Sequence, residues 1–284
     1  MLHRSLLGAI ALAALSVSTA NAEILDYSKY PNLKGQWNRF IVPGLPGQPS
    51  FDQTKPWGFG QEAPLTPEYK AVLEASLADQ AQGGQGNFTD GSRCLAYGMP
   101  LMMTAFYPQE YVISPEATYI LINNADHGRR IYTDGRDWPK EIEPTYQGYS
   151  IGKWLDENGD GRYDVLAIET RGPFKGPRVY DATGLPLHRD NQSIFKERIY
   201  LDKANPNILH NQITVIDHAL TRPWTVDKRY VHSANPRPEW REASCIEGSD
   251  LVGIGKEMYI LRVDGFLMPA KKDQRPPDLR YFNK

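Results

Sequence analysis

Cysteine is scarce: the 284-residue chain has only Cys94 and Cys245. They form no C-x-x-C pair, so the spacing that lowers a thiol pKa for redox work is missing. An excess of charge is missing too, with 32 Lys and Arg against 34 Asp and Glu and a formal net charge of −2. The basic residues are scattered, which argues against a nucleic-acid partner. Beyond the N-terminal segment, no apolar run approaches the roughly 20 residues of a spanning helix, so no membrane span is expected. G-x-S-x-G, H-E-x-x-H, a phosphate-cradling glycine loop and a dinucleotide fingerprint are all absent. The six histidines are dispersed and show no zinc-ligand spacing.

What the chain does have begins at its N-terminus. His3 and Arg4, the apolar run LLGAIALAALSVS and the small-residue site Ala20-Asn21-Ala22 make residues 1–22 a secretory signal peptide. The mature chain from Glu23 is therefore expected in the periplasm. In an oxidising compartment, Cys94 and Cys245 read as one disulfide, worth on the order of 5 kcal/mol in the chain-entropy account.

Glycine (24), proline (22) and tyrosine (16) are abundant, while helical periodicity is rare. That balance suits a mainly β fold with many turns. One helix stands out in APLTPEYKAVLEASLADQAQGG. Thr66 can cap it, Pro67 suits its first turn, Gly83-Gly84 ends it, and Tyr69, Val72, Leu73 and Leu77 form its apolar stripe. Strand patterns follow at 117–123, 129–133, 149–155, 163–170, 194–201, 208–216, 224–231 and 258–263. Short turns join most of them, so an antiparallel meander closing into a barrel is the simplest arrangement. One domain is expected over 23–284, with a helix-containing wrap at about 31–110 and the barrel at about 111–265. Gly35-Gln36-Trp37 resembles the Gly-x-Trp motif that opens lipocalin-like barrels.

Residues 156–164, DENGDGRYD, place Asp156, Asn158, Asp160 and Asp164 at alternate positions, with Gly161 at the reversal. Alternate oxygen side chains, with the Arg162 carbonyl, can wrap a hard cation. Position 12 of the loop is Ala167, so this is not an EF-hand. The loop resembles the calcium loops of FG-GAP and integrin-type repeats, which implies a structural Ca2+. The competing reading is a hairpin whose glycines supply positive φ.

RRIYTDGR, GYSIGKW, KERI and TRPWTV together resemble a large, mostly uncharacterised family of exported bacterial proteins. That resemblance implies export and a β-rich domain, and brings no activity with it. The residues themselves offer Glu197 and Asp217, two carboxylates on apolar strand faces, and His188 beside Asp190 in LPLHRDN. Desolvated carboxylates and a nearby histidine are the material of acid/base catalysis. The alternative for Glu197 and Asp217 is a structural salt bridge to an arginine such as Arg130 or Arg222. Arg130, Asp134, Asp190, Arg222 and Trp224 are candidate substrate-binding residues, although Trp224 also fits simple packing. The expectation is a lipocalin-like barrel acting without a cofactor beyond structural Ca2+, as a lyase, isomerase or hydrolase on a small hydrophobic or aromatic molecule. A non-catalytic binding protein and an envelope interaction protein without a pocket are the alternatives.

Overall fold

The structure, a computed structural model, describes residues 25–40, 63–82, 96, 98–104, 108–123, 128–175, 178–179, 186–188, 191–240, 251–254, 257–262 and 264–277. Segment 1–22, Cys94, Cys245 and Asp190 lie outside them, and with them the signal peptide and the disulfide.

In chain order the elements are β1 (Trp37–Phe40), helix α1 (Pro67–Ala81), β2 (Gln109–Ile113), β3 (Ala117–Ile122), β4 (Arg129–Tyr132), β5 (Tyr149–Leu155) and β6 (Val165–Arg171). The short pair β7 (Arg178–Val179) and β8 (Pro186–His188) precedes the long strands β9 (Ile194–Leu201), β10 (Ile208–Ile216) and β11 (Trp224–His232). The chain finishes with β12 (Leu251–Ile254), β13 (Glu257–Leu261) and β14 (Leu267–Pro269).

Nine strands close into a barrel in the order β1-β11-β10-β9-β6-β5-β4-β3-β2, and β2 returns to β1 at Trp37↔Gln109. Among the described residues the fold is mainly β with a single α-helix, as the composition implies. Three details differ from a simple meander. The expected N-terminal wrap supplies β1, which runs along β11 from Trp37↔His232 to Phe40↔Arg229. With that side of β11 taken, the strand expected at 258–263 has no place in the barrel, and β13 pairs with β12 and β14 in a separate sheet. Finally, β4 and β5 are parallel and meet at one position, Tyr132↔Ile151. The connection 133–148 is long enough to carry the chain back before β5 begins, which a parallel pair requires.

Period-two alternation fills the barrel. Phe195, Glu197 and Ile199 of β9 are buried, as are Leu209, Asn211, Ile213 and Val215 of β10 and Trp224, Val226, Lys228 and Tyr230 of β11. Each large apolar side chain so buried contributes about 1.5–3 kcal/mol. Trp37 of the Gly-x-Trp motif is 1% exposed and donates its indole N–H to the Leu33 carbonyl at 3.1 Å. Gly35, at φ 83°, sits where a Cβ would lie 2.9 Å from His232 Nε2, so only glycine fits there. Helix α1 lays Tyr69, Val72, Leu73 and Leu77 against the core. Its start is fastened to the barrel by Thr66 N–H to the Ala219 carbonyl at 2.9 Å and Thr221 N–H to the Pro64 carbonyl at 2.8 Å.

A charged network crosses the interior at the weak β4–β5 contact. Arg129 of β4 donates to both oxygens of Glu197 on β9 (Nη1···Oε1 2.9 Å), and also to Thr170 Oγ1 on β6 at 2.8 Å and Ser150 Oγ on β5 at 3.3 Å. Asn211 Nδ2 adds a bond to Glu197 at 3.1 Å. The Arg129 and Glu197 side chains are both fully buried. Glu197 thus has Arg129 as its partner, not Arg130 or Arg222. Strand alternation turns Arg129 inward and Arg130 outward, while Arg222 is exposed in the turn before β11.

Removing one partner of this pair should be costly, because the other charge stays buried. Glu197→Gln should cost about 3–5 kcal/mol in urea unfolding, whereas Arg129→Met combined with Glu197→Met should recover most of that loss. A single variant as stable as the wild type would contradict this account of the interior.

Candidate functional site

Polar side chains converge at the end of the barrel where β10 stops. Asp217 is the first residue past β10 and His218 the next. His188 comes from β8, Ser193 immediately precedes β9, and Tyr69 lies in the first turn of α1. The fastening of the 217–221 turn to the start of the helix sets Tyr69 over the two histidines. Its ring meets those of His188 and His218 edge-on, with centroids 5.4 Å away in each case.

The Asp217 side chain is fully buried and saturated with donors. Oδ1 accepts from Ala219 N–H at 2.8 Å and faces His188 Nε2 at 3.0 Å and His218 Nδ1 at 3.3 Å, while Oδ2 accepts from the Ser193 hydroxyl. A buried carboxylate with this many donors is held as the anion. With Asp217 as the acceptor, His188 donates from Nε2, while His218 Nδ1 makes a longer contact with the same oxygen. On its other side, His218 Nε2 lies 2.9 Å from the Tyr69 hydroxyl. Tyr69 O–H, His218 and Asp217 therefore form a hydroxyl–imidazole–carboxylate chain with His188 as a second imidazole on the same carboxylate.

The expected catalytic residues fall into two places. Glu197 pairs across the sheet with Ile213, and Asp217 lies four residues beyond Ile213, just past the end of β10, roughly 13 Å at strand rise. The structure brings His188 to Asp217 and leaves Glu197 in the interior ion pair. Tyr69, which sequence periodicity placed only in an apolar stripe, and Ser193 complete the cluster. The adjacency of His218 to Asp217 was the available signal. A third histidine, His210, buried on the outward-facing side of β10, lies between Asp227 at 2.9 Å and Asp202 at 3.2 Å and stacks on Tyr200.

The candidate substrate-binding residues also scatter. Arg130 lines an open cleft of about 380 Å³ at the β4–β5 seam with Tyr132, Tyr146, Gln147, Tyr149 and Lys175. Asp134 is held by Arg136 in its own turn, and this ion pair keeps the carboxyl below its usual range. Trp224 is 5% exposed and belongs to the hydrophobic core, and Arg222 is solvent-exposed. Inside the barrel, the Tyr111 hydroxyl donates to Gln109 Oε1 at 3.1 Å, Gln109 donates to the Tyr230 hydroxyl at 3.3 Å, and Tyr230 donates to the Met103 carbonyl. Burial pushes the Tyr230 phenol up to about 12, and Tyr111 is raised as well, so both remain protonated donors.

In the 156–164 hairpin, Asp156 accepts the N–H groups of Gly159 (2.7 Å), Asp160 (3.1 Å) and Gly161 (2.9 Å). Asp160 accepts that of Arg162 at 2.9 Å and Asp164 that of Glu157 at 2.9 Å. Gly159 and Gly161 have φ of 75° and 84°, as a tight reversal needs. The loop's own N–H groups thus satisfy oxygens of all three carboxylates. Among the described residues, the one set of three or more His, Cys, Asp or Glu ligand atoms that converges is His188, Asp217 and His218.

In comparisons with known proteins, no family model matches the chain and no curated protein matches it.

Proposed function

We propose that this is an exported periplasmic enzyme performing acid/base chemistry at the barrel mouth, as a lyase, isomerase or hydrolase on a small hydrophobic or aromatic molecule. The observation that carries the reading is the chain Tyr69–His218–Asp217, built around a fully buried carboxylate. It has the logic of a hydroxyl nucleophile activated by an imidazole that a carboxylate orients. His218 takes the Tyr69 proton, Asp217 stabilises the imidazolium that forms, and the phenolic oxygen becomes able to accept a substrate proton or attack an electrophile. His188, hydrogen-bonded to the same carboxylate through Nε2, positions Asp217 beside that chain.

The test is a panel of aromatic esters and of β-elimination substrates run with the wild type, Tyr69→Phe and His188→Gln. General acid/base groups contribute about 10²–10⁴-fold, so Tyr69→Phe should lose about a hundredfold or more of any turnover, with Tm held within a few degrees. Turnover unchanged in both variants would overturn the reading. Binding of panel compounds without turnover would favour a ligand-binding protein instead, a reading that the seam cleft with Arg130 and Lys175 supports.

Calcium at the 156–164 hairpin is a separate proposal, supported by the alternate oxygen side chains of Asp156, Asn158, Asp160 and Asp164. Calcium bound only by the folded state should raise stability by about 2.7 kcal/mol at a hundredfold excess over Kd. Asp160→Ala should remove that dependence. A melting curve of the chelator-stripped protein that ignores added calcium would leave the loop as a turn alone.

A further inference from the structure

We infer that His188, Asp217 and His218 form a binding site for a divalent transition-metal ion of the zinc type. The inference rests on the reading of this cluster as the functional centre and adds a ligand to it. The three donor atoms lie within 4.8 Å of one another. His188 Nε2 and His218 Nδ1 approach the same carboxylate oxygen, at 3.0 and 3.3 Å. Ligand atoms about 2.0–2.1 Å from a tetrahedral cation are separated by about 3.3 Å, so small side-chain rotations suffice. Two imidazoles and one carboxylate suit zinc, cobalt or iron better than calcium or magnesium, which take all-oxygen shells.

The surroundings also match a metal site. Ligating histidines and carboxylates are normally held by outer hydrogen bonds. Here the Ser193 hydroxyl and Ala219 N–H hold Asp217, and Tyr69 holds the far nitrogen of His218. Three protein ligands leave a fourth position for water or another exogenous ligand. Sequence reading misses the set because His188 and His218 come from distant segments that only the fold joins.

Cation and proton chain exclude one another. Coordination requires the ring protons to sit on the far nitrogens, Nδ1 of His188 and Nε2 of His218. His218 then carries its proton on Nε2 and donates it to Tyr69, reversing that hydrogen bond. The metal-loaded protein therefore holds Tyr69 as an acceptor and silences the proton chain.

The full mature chain, stripped with chelator and dialysed against Zn2+ or Co2+, should retain one ion per chain. The cobalt form should show visible d–d absorption of low-symmetry, nitrogen-containing coordination. His218→Ala, at a partly exposed position, should abolish retention without unfolding, and Ser193→Ala should weaken it by about tenfold. Absence of retained metal, or equal retention in His218→Ala, would overturn the site. Metal retention is read without turnover, so a silent substrate panel counts only against the proton-chain reading, and a protein still empty after dialysis against the metal only against the site.

Discussion

The rest of the structure depends on the buried pair Arg129–Glu197. Around the barrel every neighbouring pair of strands is antiparallel except β4 and β5, which, like the antiparallel pair β1 and β2, share one paired position. Arg129 bridges this place from inside, reaching past Ser150 on β5 and Thr170 on β6 to Glu197 on β9. Ser150 and Thr170 are register partners whose hydroxyls bond at 2.8 Å, so the side-chain ladder is continuous across four strands. A hydrophobic pair could fill the same volume at equal or better stability. It would not fix which residue of β4 faces which strand, and register is the property a single-bridge seam lacks.

The barrel mouth inherits its geometry from that closure. β9 and β10 must hold their register for Ser193 and Asp217 to meet, and the turn after β10 must dock on the start of α1 for Tyr69 to reach His218. The interior ion pair and the mouth cluster thus divide the polar groups of the core by task. Glu197 is fully committed to Arg129 and Asn211, whereas the mouth cluster includes a partly exposed His218 beside Tyr69. Asp217 is as buried as Glu197, but its partners are titratable imidazoles rather than a permanent guanidinium.

The barrel was legible where period-two alternation is long, on β9, β10 and β11. It was not legible at β1, where four residues carry too little pattern, nor at 258–263, where alternation defines a strand without saying which sheet receives it. The Arg129-Arg130 pair shows the same limit at single-residue scale: adjacent residues of a strand face opposite sides, and composition does not say which arginine turns inward. At the site, Asp217 and His188 were visible as residue types, but their separation from Glu197 was set by strand register. Tyr69 was visible only as part of a helical stripe, because the same periodicity describes a tyrosine that packs and one that reaches a histidine. The 156–164 loop was legible as a turn, and its glycines have the positive φ that its sequence implies.

Native-state hydrogen exchange tests the central claim, that the interior ion pair holds the β4–β5 seam closed. In the wild type, the amides paired between β3 and β4 and between β5 and β6 should exchange only through global unfolding, together with those of β9–β11. In Glu197→Gln, β3 to β5 should lose protection first, while β9–β11 keep the protection set by the remaining global stability. Uniform loss of protection across all nine strands of that variant, or fast exchange at the seam of the wild type, would contradict the account.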